Sequence, residues 1–190
     1  MYKEDIDWRS GPLRDALAGL DAGLKRIEDR PSEQPWFDGL WACEYSEPLL
    51  GVAFVAAQTY LVGTVSDVNS IRARRADGLP EQCRRLNKRE CYACDSACGA
   101  TGVTRVQLIN AAANYFKHHE DENGLGKETK ATLSLVGVIV GVSERTEFPC
   151  LEAARLLLGN ELNLDCMLTI LRGWREHMLA TLCGAVSRES

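Results

Sequence analysis

The part of this chain that most restricts its fold is its most apolar stretch, the 17 residues from Leu49 to Val65. That length sits at the short limit for crossing a bilayer. Gln58, Thr59 and Tyr60 fall at its centre, where lipid offers their polar atoms no partner. A buried helix in a bundle satisfies the stretch better, so no membrane is expected. Ser46-Glu47-Pro48 supplies a helix start, with a hydroxyl to cap free amides and a proline tolerated in the first turn. The run onward to about Arg75 has no further proline, and apolar residues cover its first five turns almost all round. Such a helix belongs in the middle of a bundle.

The segments around it read as its neighbours. Ser10 followed by Gly11-Pro12 is a second start, and Leu13, Leu17, Leu20, Leu24 and Ile27 then alternate steps of four and three along one apolar seam. Two prolines in Arg30-Pro31-Ser32-Glu33-Gln34-Pro35 predict that this helix ends before them and that residues 30–45 form a loop. Residues 76–102 are the least regular, holding Gly78, Pro80, Gly99, Gly102 and four cysteines. Thr104-Arg105-Val106-Gln107 has capping-box spacing and opens a helix to about Glu120, stopped by Asn123-Gly124. Lys127 to Val142 has strand-like Val, Ile and Thr content, but its length and its neighbours favour a helix. Pro149 begins a short helix ending at Gly159-Asn160. Asn163 caps the last one, with Leu164, Leu168, Leu171, Met178 and Leu182 on one face. The expectation is an all-α, single-domain bundle of about five to seven helices over residues 1–190.

Charge and cysteine usage narrow the function classes. A net charge of -5 excludes whole-surface attraction to nucleic acid. It leaves room for a local basic patch, and between Arg72 and Arg89 stand Arg72, Arg74, Arg75, Arg84, Arg85, Lys88 and Arg89 against Asp77 and Glu81 alone. A solvated helix end and loop is the alternative reading of that patch. The opening residues Met1-Tyr2-Lys3-Glu4-Asp5-Ile6-Asp7-Trp8 lack the basic-then-apolar order of a secretory signal. A cytoplasmic location with free thiols is therefore expected for the eight cysteines. Four of them, Cys83, Cys91, Cys94 and Cys98, contain one Cys-x2-Cys pair that suits zinc. A zinc ribbon needs two well-separated close pairs, so the expectation is an apolar stripe and no bound cofactor.

On the helix from Thr104, Val106, Ile109, Ala113 and Phe116 lie on one side, with Asn110, Asn114, Lys117 and His118 together on the other. Two amides, a cation and a side chain that titrates near neutral pH are the pieces needed to hold a phosphodiester and move a proton. A solvated helix face is the plain alternative. His119 falls nearer the apolar side. With His118, Glu120, Asp121 and Glu122 it converges poorly on one metal, because neighbouring helical residues point about 100° apart.

The segment Asn114-Tyr115-Phe116-Lys117-His118-His119 resembles the Asn-x-x-Lys-His segment of HEPN-like bacterial proteins. In Arg172-Gly173-Trp174-Arg175-Glu176-His177 the chain also resembles the HEPN superfamily, whose ribonucleases carry an arginine, four to six residues and a histidine near the end of a helical bundle. The resemblance implies a metal-independent endoribonuclease of a toxin or defence system, acting on RNA as a homodimer with its cleft between subunits. His118 and His177 would be the candidate bases, and Asn114, Lys117 and Arg172 the charge stabilisers. Gly173 stands where active members usually carry a polar residue. Arg172 and His177 flank opposite edges of the apolar face of an ideal helix, so a kink or a dimer cleft is needed to unite them. The rival reading is a non-catalytic helical interaction protein, an immunity or regulatory partner of another protein.

Overall fold

Seven α-helices succeed one another in the computed structural model, which describes residues 7–34, 38–75, 85–121, 124–140, 144–145 and 147–183. They are α1 (Ser10–Glu33), α2 (Gly39–Arg75), α3 (Lys88–Ala93), α4 (Arg105–His118), α5 (Lys127–Leu135), α6 (Pro149–Leu158) and α7 (Leu164–Met178). A two-residue antiparallel pair, β1 (Ile139–Val140) and β2 (Glu144–Arg145), lies between α5 and α6. The chain is an all-α helical bundle, as its periodicities predict.

The apolar stretch forms the middle of α2, which packs against α1, α4, α6 and α7. Leu50, Ala53, Phe54, Ala57 and Leu61 are fully buried there. Two glycines let neighbours come close. A Cβ at Gly51 would overlap the Phe116 ring of α4, and one at Gly63 would overlap the Arg9 guanidinium. Arg9 crosses that gap to Asp67 with paired bonds of 2.7 and 2.9 Å, while Tyr60 donates to Asp7 at 2.5 Å. Residues 7–9 are thereby tied to the flank of α2.

Several helix ends differ from expectation. Residues 30–45 are mostly helical: α1 continues through Pro31 to Glu33, and α2 starts at Gly39. Proline's fixed φ is helical, and the amide it lacks falls in the last turn, beyond the anchoring residues Leu24 and Ile27. Asp38 opens α2 in place of Ser46, accepting from the amides of Leu40 and Trp41 at 3.0 and 3.2 Å. Pro48 therefore lies inside the helix, on its exposed side, where water can serve the Glu44 carbonyl left without a donor. Ser10 is a helical residue whose hydroxyl donates to the Asp7 carbonyl at 2.8 Å instead of accepting an amide. In the irregular segment, residues 76–84 lie outside the described residues, while Asn87 caps the short α3 by accepting from Arg89. The helix expected over 127–142 stops at Leu135. Gly137 takes φ +76°, its amide donates to Ser134 and that of Val138 to Leu133. The β-branched Ile139 and Val140 then pair as a strand.

The start of α4 is clamped from three sides. Thr104 and Gln107 form the expected capping box. Asp95, its side chain 2 % exposed, accepts from Arg105 Nη2 and from the Val106 amide, and Thr104 Oγ1 donates to the Tyr92 carbonyl. The buried Trp174 of α7 donates to the neighbouring Cys91 carbonyl at 2.7 Å and meets the Tyr92 ring edge-on. The last turns of α7 thus sit beside α3 at the beginning of α4.

Candidate functional site

Polar residues at the centre of a bundle must find partners, and Gln58 is the one that the apolar stretch cannot hide. It projects from α2 toward α4, only 8 % exposed. Lys117 Nζ donates to its Oε1 at 2.7 Å. Its Nε2 donates to Asn114 Oδ1 at 2.8 Å, to Asn110 Oδ1 at 2.9 Å and, more loosely, to the Asn110 carbonyl. The phosphate-holding stripe expected on α4 is therefore lodged against α2, and Gln58 joins Asn110, Asn114 and Lys117 into one cluster.

The lysine determines how every amide in that cluster points. A cation accepts nothing, so Gln58 must turn its oxygen to Lys117 and its nitrogen to α4. Asn110 and Asn114 must then turn their oxygens inward. The three side-chain oxygens are used inside the cluster. The Nδ2 groups of Asn110 and Asn114, and the remaining protons of Lys117, are left to donate elsewhere. The outward character is that of a donor set, suited to an anion.

His118 follows Lys117 on the last turn of α4, half exposed. Its Nδ1 lies 2.7 Å from Asp121 Oδ2. A carboxylate accepts, so Nδ1 donates to it and Nε2 is the ring nitrogen left for another partner. His119 stacks on the Tyr115 ring and points Nδ1 at the carbonyls of Tyr115 and Phe116, as a boundary residue does.

Arg172 and His177 are exposed on α7, and His177 Nε2 lies 3.5 Å from the Thr181 hydroxyl. The structure does not bring this pair to His118 within one chain. Trp174 lies by the start of α4, whereas His118 ends that helix, and 14 residues separate those levels by about 20 Å.

Of the four clustered cysteines, Cys83 lies outside the described residues. Cys91 is buried, and burial raises the thiols of Cys94 and Cys98 above their ordinary range. That makes them poor nucleophiles. Among the described residues no three His, Cys, Asp or Glu side chains form a group that could hold a metal ion.

Sequence reasoning reached Asn114, Lys117 and His118 but not Gln58 or the role of Asp121. The signal for Gln58 was its place in an apolar run, where a buried amide demands polar partners on the facing helix. No protein-family model matches the chain, and neither a curated protein nor a solved structure matches it.

Proposed function

We propose that the chain is a metal-independent endoribonuclease with its working face at Asn110, Asn114, Lys117 and His118. The observation that supports it is the donor set fixed by Gln58 next to a histidine oriented by Asp121. Lys117 and the asparagine amides hold the non-bridging oxygens of a phosphodiester, where charge grows during attack. His118 Nε2 takes the proton of the 2′-hydroxyl, whose oxygen attacks phosphorus and displaces the 5′-oxygen of the next nucleotide, and that oxygen takes up a proton from water as it leaves. A cyclic phosphate and a free 5′-hydroxyl result. Within one chain Arg172 and His177 take no step. Cys43, Cys91, Cys94, Cys98, Cys150 and Cys166 are free thiols, which suits a reducing cytoplasm.

The test is cleavage of an RNA oligonucleotide beside the same sequence with deoxyribose at every position, with chelator present. RNA cut to cyclic-phosphate ends and DNA left whole is the expected result. Equal cutting of DNA, or loss of all activity on adding chelator, contradicts it. A helical interaction protein is the second reading, favoured by the wide separation of Arg172 and His177 from His118. It takes over if the folded protein cuts no RNA.

A further inference from the structure

His118 is followed by a second imidazole that the cleavage step leaves unused. The His119 ring stacks on Tyr115, one turn earlier in α4, with centroids 4.9 Å apart and planes 20° from parallel. Carbonyls accept, so Nδ1 donates to those of Tyr115 and Phe116, each at 3.2 Å, in the last turn of the helix. A ring held on one face and along one edge has little rotamer freedom left. The side chain is nevertheless 33 % exposed. Tyr115 covers one face and the carbonyls take the Nδ1 edge, so the exposed part is the opposite face and the Nε2 edge. Glu120 Oε1 stands 3.7 Å from Nε2 at that edge. What remains is a flat, immobilised aromatic face, directly after Lys117 and His118 in α4.

Capping the helix accounts for the Nδ1 edge but not for an open ring face beside a donor set. Neighbouring helical side chains point about 100° apart, so His118 and His119 do not converge on one atom. A nucleotide does not require that they should, because its 2′-hydroxyl and its base stand on different sides of the ribose. With the phosphate at Lys117 and Asn114 and the hydroxyl at His118, the base is the part left for the next side chain along. Every base has a π-face, and an unpaired base stacks on histidine as on the other aromatic rings. We propose that the outward face of His119, backed by Tyr115, is a stacking platform for a nucleobase next to the phosphate that Lys117 holds. The platform rests on the phosphodiester-binding reading of the donor set. It adds a contact to the base, where that reading has contacts to phosphate and ribose alone.

Binding of a single-stranded, all-deoxyribose oligonucleotide to the purified full chain, followed by fluorescence anisotropy at one fixed salt concentration, reads this contact without cleavage. His119→Ala should weaken binding at least about fivefold, and His119→Phe, which keeps a ring, should stay within about twofold of the parent. His119→Asn keeps a donor for the two carbonyls and lacks the ring, so it should lose as much as His119→Ala. Circular dichroism checks the fold of each variant. On the same sugar-phosphate chain with every base removed, the parent and His119→Ala should bind alike. Equal affinity of the two for the complete oligonucleotide overturns the platform, as does failure of the parent to bind it. So does a difference that persists on the baseless chain, which marks a structural role, or a loss in His119→Phe as large as in His119→Ala. RNA cleavage with affinity unmoved by His119→Ala removes the platform alone. Binding that depends on His119 without any cleavage of RNA supports the platform and removes the catalytic reading alone.

Discussion

Gly51 and Phe116 show how a single missing methyl group positions the candidate site. The Phe116 ring occupies the space a Cβ would fill, and Lys117 follows it directly in α4. Gly51→Ala must push α4 away, at a cost of about 1–3 kcal/mol. In a double-mutant cycle Phe116→Leu should return part of that loss, and strict additivity in denaturant melts would contradict the contact. Tyr92 is the opposite case. Its hydroxyl is buried without a partner among the described residues, and burial pushes it from 10.0 up to about 12. The folded state therefore holds its proton longer than the unfolded chain. Stability attached to that proton is complete below pH 10 and falls as pH rises toward about 12. Tyr92→Phe should be neutral or stabilising by up to about 1 kcal/mol at neutral pH and should flatten the alkaline loss. A steeper loss in the variant contradicts this.

Helices, as elements, were legible where one face repeats and obscure where an end depends on a distant partner. The seam from Leu13 to Ile27 and the capping box at Thr104 are local, and a helix forms over each, although α1 runs on through Pro31 to Glu33. The start of α2 rests on Asp38, a single acid with no flanking motif, and its true beginning was hidden by the stronger signal at Ser46-Glu47-Pro48. Glu47 does cap a helix, though another one. Its carboxylate accepts the amides of Cys150 and Leu151, each at 2.8 Å, at the start of α6. Replacing it with alanine should lower stability by about 1–2 kcal/mol, whereas a surface glutamate of no consequence would cost nothing measurable. For the site, the polar stripe of α4 could be read from spacing alone. That it faces Gln58 instead of water depends on how α2 and α4 pack, which no local pattern states. Gln58→Glu tests the cluster as a unit. A second acceptor would force Asn110 and Asn114 to turn their oxygens outward, so RNA binding should weaken at least about tenfold, near the 1.5–3 kcal/mol of one charge-assisted bond, while the helices persist. Unchanged affinity contradicts the donor-set argument.

At the scale of the whole molecule, a net charge of -5 leaves any hold on RNA to local geometry. The proposed geometry is the donor set at the α2–α4 contact, away from the exposed pair Arg172 and His177. The proposed base is His118. The most direct measurement is the initial rate of RNA cleavage by His118→Ala beside His177→Ala, each with its fold checked by circular dichroism. Loss of a general base costs about a hundred- to ten-thousand-fold, so His118→Ala should fall by that much and His177→Ala should stay near the parent rate. A folded His118→Ala protein that cuts as fast as the parent contradicts that role.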